Sequence, residues 1–427
     1  MKIVVAPPDG PIDAVVRVPG SKSVANRALV CAMLADGTST VSGLPDGDDV
    51  SAVVRVLEEA GSLRRLSADT VVVNGSRVPR LPGIVDARLA GTSSRFLTAV
   101  AALADGTTII DGGQPLRERP MADLQDALAF LGAELEPLGE AGRLPVSVSR
   151  GRMGGGEVRV RGDVSSQFVS ALMLIAPVLD GGLTISVDGP LVSRSYVEMT
   201  ARTMRSFGAE VAIDASEVRI EPTGYTATRL VVEPDFSSAA FPLCALFLRT
   251  GRVRIPGLAA STAQGDSAVL DILRAAGVGI STDGDDIVAV RGDSRPGAVG
   301  TVDMSDCSDL VPAVATGLSV CDGRSTVTGI GFIRRKESNR VEGLVDRLVE
   351  CGADARASED GIEIDGVPAL NGAVIDTMHD HRIAMALSLA ALSAGTVTID
   401  DRDVVSKSWP GYFSDMRDIL GTPKDAN

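Results

Sequence analysis

One stretch recurs six times along the chain. It is a run with apolar residues at helical spacing that ends in glycine: Val53–Gly61, Leu124–Gly132, Ala201–Gly208, Leu270–Gly277, Leu344–Gly352 and Asp415–Gly421. The intervals between the six glycines are 71, 76, 69, 75 and 69 residues. Apolar spacing closed by Gly predicts a helix with a left-handed C-terminal cap. Most of these stretches run on into a strand-like segment, as at Ala133–Glu136 and Ala209–Ile213. A regular period of this kind marks a repeat architecture, so the repeat has to be read before any single motif.

A second pattern runs in step with the first. A polar cluster precedes an apolar helix, a Gly and an alternating strand. The clusters begin at Ser23–Arg27, Thr92–Arg95, Ser165–Gln167, Asp235–Ser238, Asp306–Asp309 and Asp380–Arg382. The strands include Thr38–Val41, Thr107–Ile110, Leu183–Val187, Val253–Ile255, Ser325–Thr328 and Thr396–Ile399. Each repeat therefore carries two helices and several strands. Ser, Thr and Asp cap helix N-termini. Such ends also attract anions through the helix dipole and unpaired N–H groups. With Lys and Arg beside several clusters, an anion site is the stronger reading and simple capping the weaker.

Only six residues follow Gly421, so the sixth repeat lacks the strands that follow its helix elsewhere. The N-terminus offers two candidates, Lys2–Ala6 and Ala14–Val18, and both are expected to complete the last repeat. The chain then divides three repeats plus three. One lobe is residues 1–18 with 233–427, and the other is 19–232. A double crossing near Pro19–Gly20 and Glu233–Pro234 would serve as the hinge. Each half is expected to pack strands around buried helices as an α/β fold.

Composition narrows the function classes. The 427 residues carry 41 Lys plus Arg and 56 Asp plus Glu, so the net charge is 41 − 56 = −15. Such a field repels nucleic acid and anionic membrane, though a local basic cleft remains possible. Nine Phe, three Tyr and one Trp are too few for base-stacking platforms. The five cysteines, Cys31, Cys244, Cys307, Cys321 and Cys351, contain no CxxC pair. Free thiols in a reducing compartment are expected, so the chain is placed in the cytoplasm. Met1–Pro8 does not read as a signal peptide. The longest apolar runs, such as Ala171–Leu179, fall short of the ~20 residues needed to span a bilayer.

The first cluster reads Pro19-Gly-Ser-Lys-Ser-Val-Ala-Asn-Arg27. A nucleotide P-loop needs Gly directly before its Lys, and Ser21 stands there instead. Lys22 and Arg27, five residues apart at a helix start, suit a phosphate or a carboxylate.

These motifs resemble the EPSP synthases of the enolpyruvyl transferase family. The similarity covers essentially the full length. Its matching segments are Pro19–Arg27, Ala90–Arg95 (AGTSSR), Leu116–Pro120 (LRERP), Gly162–Gln167 (GDVSSQ), Leu191–Tyr196 (LVSRSY), Lys336–Arg340 (KESNR), Asp380–Arg382 (DHR) and Lys407–Phe413 (KSWPGYF). The resemblance implies two inside-out α/β domains, each of three βαβαββ-type repeats. It also implies a reaction without a cofactor, in which the 5-hydroxyl of shikimate 3-phosphate adds to phosphoenolpyruvate and phosphate then leaves.

Residue roles follow from the same resemblance. Lys22, Ser23, Arg27, Ser165, Ser166, Gln167, Ser193 and Tyr196 would hold shikimate 3-phosphate, with Arg194 nearby. Lys22, Gly91, Arg119, Gln167, Arg340, Arg382 and Lys407 would bind phosphoenolpyruvate. Asp309 would take the 5-hydroxyl proton, Glu337 would handle the proton at carbon 3, and Lys22 would share the acid role. Asp309 and Lys336 would also contact the shikimate ring. The lobes, carrying facing cations, are expected to close on substrate, and the enzyme is expected to work as a monomer.

Plainer readings stand beside these. Asp309 would only cap a helix, Glu337 and Arg340 would form a solvated i,i+3 pair, and Arg119 would belong to a surface charge run with Arg117 and Glu118. His379-Asp-His381 invites a metal, but no further His or Cys cluster supports one. His381 is instead expected to support Arg382. Leu89, Phe96 and Phe332 depart from the family pattern. The first two bear on the response to glyphosate, and Phe332 on one shikimate-phosphate contact. The rival readings are the sister UDP-N-acetylglucosamine enolpyruvyl transferase and a non-catalytic anion binder. The former carries Lys-Asn where this chain has Lys22-Ser23, and a loop Cys that residues 112–120 lack.

Overall fold

All six glycines that close the periodic stretches lie at positive φ, between 69° at Gly61 and 100° at Gly132. The helices they end are Asp48–Glu59, Ala122–Phe130, Arg194–Ser206, Val269–Ala275, Glu342–Glu350 and the short pair Tyr412–Asp415 and Arg417–Leu420. These helices are amphipathic, with apolar residues on one face and charges on the other.

The helices behind the polar clusters differ. They are Lys22–Leu34, Gly91–Ala101, Ser166–Ile175, Phe236–Leu248, Val311–Leu318 and His381–Ser388. They are buried nearly all round. Every residue from Phe236 to Phe247 is buried, as is every residue of His381–Ser388. A helix that is apolar on every face has to lie inside the protein.

The computed structural model describes residues 1–258 and 264–426. The chain divides into two units, Met1–Pro19 with Pro234–Asn427, and Gly20–Glu233. In the second, the three buried helices 22–34, 91–101 and 166–175 pack against one another. In the first, helix 311–318 packs against both 236–248 and 381–388. Each unit has its own hydrophobic core, with sheets and amphipathic helices outside it.

Every repeat carries one four-stranded sheet of the same design. A leading strand pairs parallel with the next, and two antiparallel strands follow. In the second repeat, Ile84–Asp86 pairs parallel with Thr107–Asp111, followed by Val146–Ser149 and Glu134–Pro137. The third and fifth repeats match it, led by Gly156–Arg161 and Gly300–Asp303.

Three repeats borrow strands from elsewhere in the chain. The first is led by Arg229–Val231, parallel to Gly37–Ser42. The fourth is led by Ile12–Val15, parallel to Gly251–Ile255. In the sixth, Ile3–Val5 lies between Val397–Ile399 and Lys424–Asp425. This corrects one expectation. Of the two N-terminal segments only the first completes the last repeat, while the second leads the fourth. The six residues after Gly421 also supply a two-residue edge strand. The sequence pattern marks the two N-terminal segments as strands but does not carry their pairing, which is made with strands more than 200 residues away.

The buried helices approach closely at Gly317. A Cβ there would collide with the Phe247 side chain. Gly317→Ala gains helix propensity of about 1 kcal/mol but overpacks a closed core at a cost of about 1–3 kcal/mol. A lower chemical-denaturation midpoint is expected, and an unchanged or higher one would show that the core yields at this point.

Candidate functional site

In the unit Gly20–Glu233, the first turns of the buried helices carry the polar clusters. Ser21 caps helix 22–34 by accepting from the Val24 N–H, and Ser165 caps helix 166–175 by accepting from that of Gln167. Helix 91–101 starts behind Ala90, which offers no side-chain cap. Cations gather at these starts. Lys22 Nζ donates to Asp49 Oδ2 at 2.9 Å. Asp49 is buried on the first turn of helix 48–59.

Arg27 is 1% exposed. Its guanidinium donates to Thr200 Oγ1 at 2.7 Å, to the Ser23 carbonyl at 2.9 Å, and to Ser170 Oγ and the Tyr196 carbonyl at 3.3 Å each. It also lies over the rings of Phe96 and Tyr196. None of these partners is a carboxylate. Burial therefore pushes the Arg27 guanidinium down to about 10. The departure at position 96 thus has a local use, because the Phe96 ring faces the buried cation.

Gly91 sits at the start of helix 91–101, under two arginines. A Cβ there would come 2.6 Å from Arg119 Nη1 and 3.0 Å from Arg95 Nη1. Glycine there leaves room for Arg119 to lie on the helix start. The charge run splits accordingly: Arg117 pairs with Asp111 at 2.7 Å, while Arg119 turns to Gly91. Gln167 presents a buried Oε1 with no hydrogen-bond partner among the described residues. Ser193 takes a left-handed conformation at φ 55° before helix 194–206. Arg194 commits its fork to Glu198 and to the carbonyls of Asp214 and Ala215. Leu89 is 42% exposed.

The other unit builds a denser network. Asp309 lies on the one-turn helix Ser308–Leu310 that leads into helix 311–318. Its Oδ1 accepts from Lys336 Nζ at 2.6 Å and from Arg340 Nη1 at 3.3 Å. Its Oδ2 accepts from Arg382 Nη2 at 2.9 Å. Glu337 is held between Arg340 at 2.9 Å and Lys407 at 2.8 Å. Arg340 also makes a two-pronged pair with Asp380, Nε to Oδ2 at 2.7 Å and Nη2 to Oδ1 at 3.0 Å. Asp380 in turn caps helix 381–388 through the Arg382 N–H. Four cations thus face three carboxylates in direct contact, 4 − 3 = +1.

Charge states follow from burial and neighbours. Burial alone would raise Asp380, but the Arg340 charge and hydrogen bonds outweigh it and hold the carboxyl at about 2. Burial lowers Lys336, with Arg340 adding to the effect and Asp309 opposing it. The Lys336 ammonium also rests 5.7 Å from the Phe332 ring centroid. The hydrophobic residue at 332 thus faces the Lys336 ammonium. His381 Nδ1 lies 3.6 Å from Asp380 Oδ1.

Several residues singled out in the sequence, among them Lys22, Gly91, Ser166, Gln167 and Arg382, stand at helix starts, whereas Arg119, Lys336, Glu337, Arg340 and Lys407 come from the segments between helices or from a helix end. Glu337 and Arg340 are a buried pair, not a solvated one. Sequence reasoning missed the partners Asp49, Thr200 and Ser170, and missed Asp380 as the partner of Arg340. Asp49 is 27 residues from Lys22 and Asp380 is 40 from Arg340. Asp380 was visible only as a helix cap before a basic residue.

Asp380→Asn leaves buried Arg340 short of one partner and should destabilise by roughly 3 kcal/mol. Because the folded carboxyl is depressed, its contribution is present above the unfolded value near 4 and fades as pH falls through about 2. The wild-type minus variant stability difference, measured by denaturation, should be flat from pH 7 to 5 and shrink toward pH 2. A difference that grows on acidification would overturn this sign.

Comparison with known proteins places the arrangement. A family model described as EPSP synthase (3-phosphoshikimate 1-carboxyvinyltransferase) matches residues 7–416. The 3-phosphoshikimate 1-carboxyvinyltransferase of Methanothrix thermoacetophila is 38% identical over 410 residues, covering 95% of this chain and 96% of the relative. That of Trichormus variabilis is 34% identical over 417 residues, covering 96% and 97%. In fold, the chain is similar to an EPSP synthase structure from Acinetobacter baumannii, with a TM-score of 0.81, 24% identity and full coverage of both chains. The chain belongs to the EPSP synthase family.

Proposed function

We propose that this chain transfers the enolpyruvyl group of phosphoenolpyruvate to the 5-hydroxyl of shikimate 3-phosphate, giving EPSP and phosphate. The observation that carries the reading is the pairing of two carboxylates, Asp309 and Glu337, with four cations in a nearly closed network. Both substrates are polyanions. Their phosphate and carboxylate groups are the natural replacements for protein carboxylates as partners of Arg340, Arg382 and Lys407.

The steps assign as follows. The shikimate 5-hydroxyl oxygen bonds to carbon 2 of phosphoenolpyruvate while Asp309 accepts the hydroxyl proton. Glu337 delivers a proton to carbon 3, and Lys22 shares the acid role. The tetrahedral product then loses a proton from carbon 3, the C–O bond to phosphate breaks, and the double bond re-forms. As the substrate anion draws Arg340 and Arg382 away from Asp309, the carboxylate loses cationic contacts and becomes a stronger base. Lys336, already positioned on Asp309 Oδ1, would orient the acceptor ring.

In the other unit, Lys22, Ser23, Ser165, Ser166, Gln167, Ser193 and Tyr196 are assigned to shikimate 3-phosphate, and Gly91 and Arg119 to phosphoenolpyruvate. Arg27 already has four of its five N–H donors engaged. Its charge lacks an anion, so the substrate phosphate would relieve a buried cation. The five unbridged, buried cysteines fit a cytoplasmic setting. Among the described residues no helix is long and apolar enough to cross a membrane.

Phosphate release from phosphoenolpyruvate should require shikimate 3-phosphate and should not occur with UDP-N-acetylglucosamine. Release with the sugar nucleotide would favour the sister reaction, and release with neither would favour a non-catalytic anion binder. Asp309→Asn should cut turnover by about 10²-fold or more with shikimate 3-phosphate still bound; wild-type turnover would remove Asp309 as base. Gly91→Ala should push Arg119 off the helix start and raise the phosphoenolpyruvate KM roughly tenfold, the loss of one charge-assisted hydrogen bond. An unchanged KM would take Arg119 out of that subsite.

A further inference from the structure

A carboxyl group outside the proposed mechanism lies behind Asp309. Asp266, in the short helix Gly265–Ala268, is 4% exposed. Its Oδ2 accepts from the Ser237 hydroxyl. Its Oδ1 is buried and has no hydrogen-bond partner among the described residues. An ionised carboxylate seldom leaves a buried oxygen unpaired, because the lost hydration is not replaced.

The elements packed against residues 265–268 are helix 236–248, the turn 308–310 and helix 269–275. Asp235 and Ser237 come from the first of these. Cys307 and Asp309 come from the second. The third brings Asp271, whose side chain is 82% exposed and paired with Arg274. Arg382 is a cation acting on Asp266, and it is the same arginine that grips Asp309.

We infer that Asp266 is a positioning residue for the proton transfer assigned to Asp309: by being charged or neutral, its buried carboxyl sets how strongly Asp309 holds a proton. Burial, with the Asp309 charge next in size and Asp235 adding to it, pushes Asp266 up to about 7, while Ser237 and Arg382 oppose. Coupling between two sites is reciprocal. If the Asp309 charge raises Asp266, then an ionised Asp266 raises Asp309 and makes it the stronger base. Below about pH 7 Asp266 is neutral and Asp309 is the weaker base. Turnover should therefore climb through neutrality. No atom passes between the two groups; the effect is one of charge.

The inference rests on Asp309 being the base, and one experiment separates the two ideas. The pH profile of kcat is measured from pH 5.5 to 9 for wild type, Asp266→Asn, Ser237→Ala and Asp309→Asn. Asparagine locks position 266 neutral with little change of shape. Asp266→Asn should match wild type near pH 6, lose the rise centred near 7, and fall about 3- to 10-fold short at pH 8.5, with both KM values within twofold. A retained rise, or an equal loss at every pH, overturns the inference. Ser237→Ala removes a hydrogen bond that lowers Asp266, so its midpoint should move to higher pH; an unmoved midpoint overturns it even where Asp266→Asn fails to fold. Asp309→Asn should be slow at every pH. If it keeps wild-type turnover, the base assignment fails. If it is slow while Asp266→Asn keeps the wild-type profile, only the present inference fails.

Discussion

Six helices in this chain have no polar face along most of their length, and that fixes where everything else goes. A helix such as Phe236–Leu248, buried from Phe236 to Phe247, is stable only when other elements surround it. Three such helices fill each unit, and the sheets and amphipathic helices are left outside. The charged groups of the buried helices lie in or just before their first two turns, as with Lys22, Arg27, Arg95 and Arg382. Lys22, Ser166, Asp309 and Arg382 all stand on those turns or beside them.

Burying so much charge is stable only because almost every charge has a specific partner. Arg340 is the clearest case. It is 1% exposed and touches Asp309, Glu337 and Asp380. Asp380 both neutralises it and caps the helix that presents Arg382. Arg27 is the contrasting case, buried among hydroxyls, carbonyls and rings with no carboxylate. One network pairs its charges among themselves, and the other sets a buried cation among neutral groups. The −15 net charge of the chain conceals both, because it is spread over the exposed surface.

Much of this was legible in the sequence, and the limits have physical causes. The period of the glycines located the caps, since a left-handed cap is a local property of a few residues. The buried helices and the strand after each were legible for the same reason. The destination of Ile12–Val15 was not, because strand pairing between segments more than 200 residues apart leaves no local trace. The basic residues at helix starts were found, whereas Asp49 and Asp266 were not. Isolated acidic residues in ordinary surroundings gain their meaning only from what folds against them. Phe96 and Phe332, which depart from the family pattern, proved to face Arg27 and Lys336.

The borrowed strands also fix an order of events at the ribosome. The stretch Gly20–Glu233 closes its first sheet with its own last strand, Arg229–Val231, so it has a full complement as soon as that strand emerges. Ile3–Val5 and Ile12–Val15 leave the exit tunnel first yet have no partners until Gly251–Ile255 and Val397–Ile399 are made. The first strands to be synthesised are therefore among the last to pair. For most of translation they trail as unpaired edges, the state in which nascent chains are most exposed to aggregation and to chaperones.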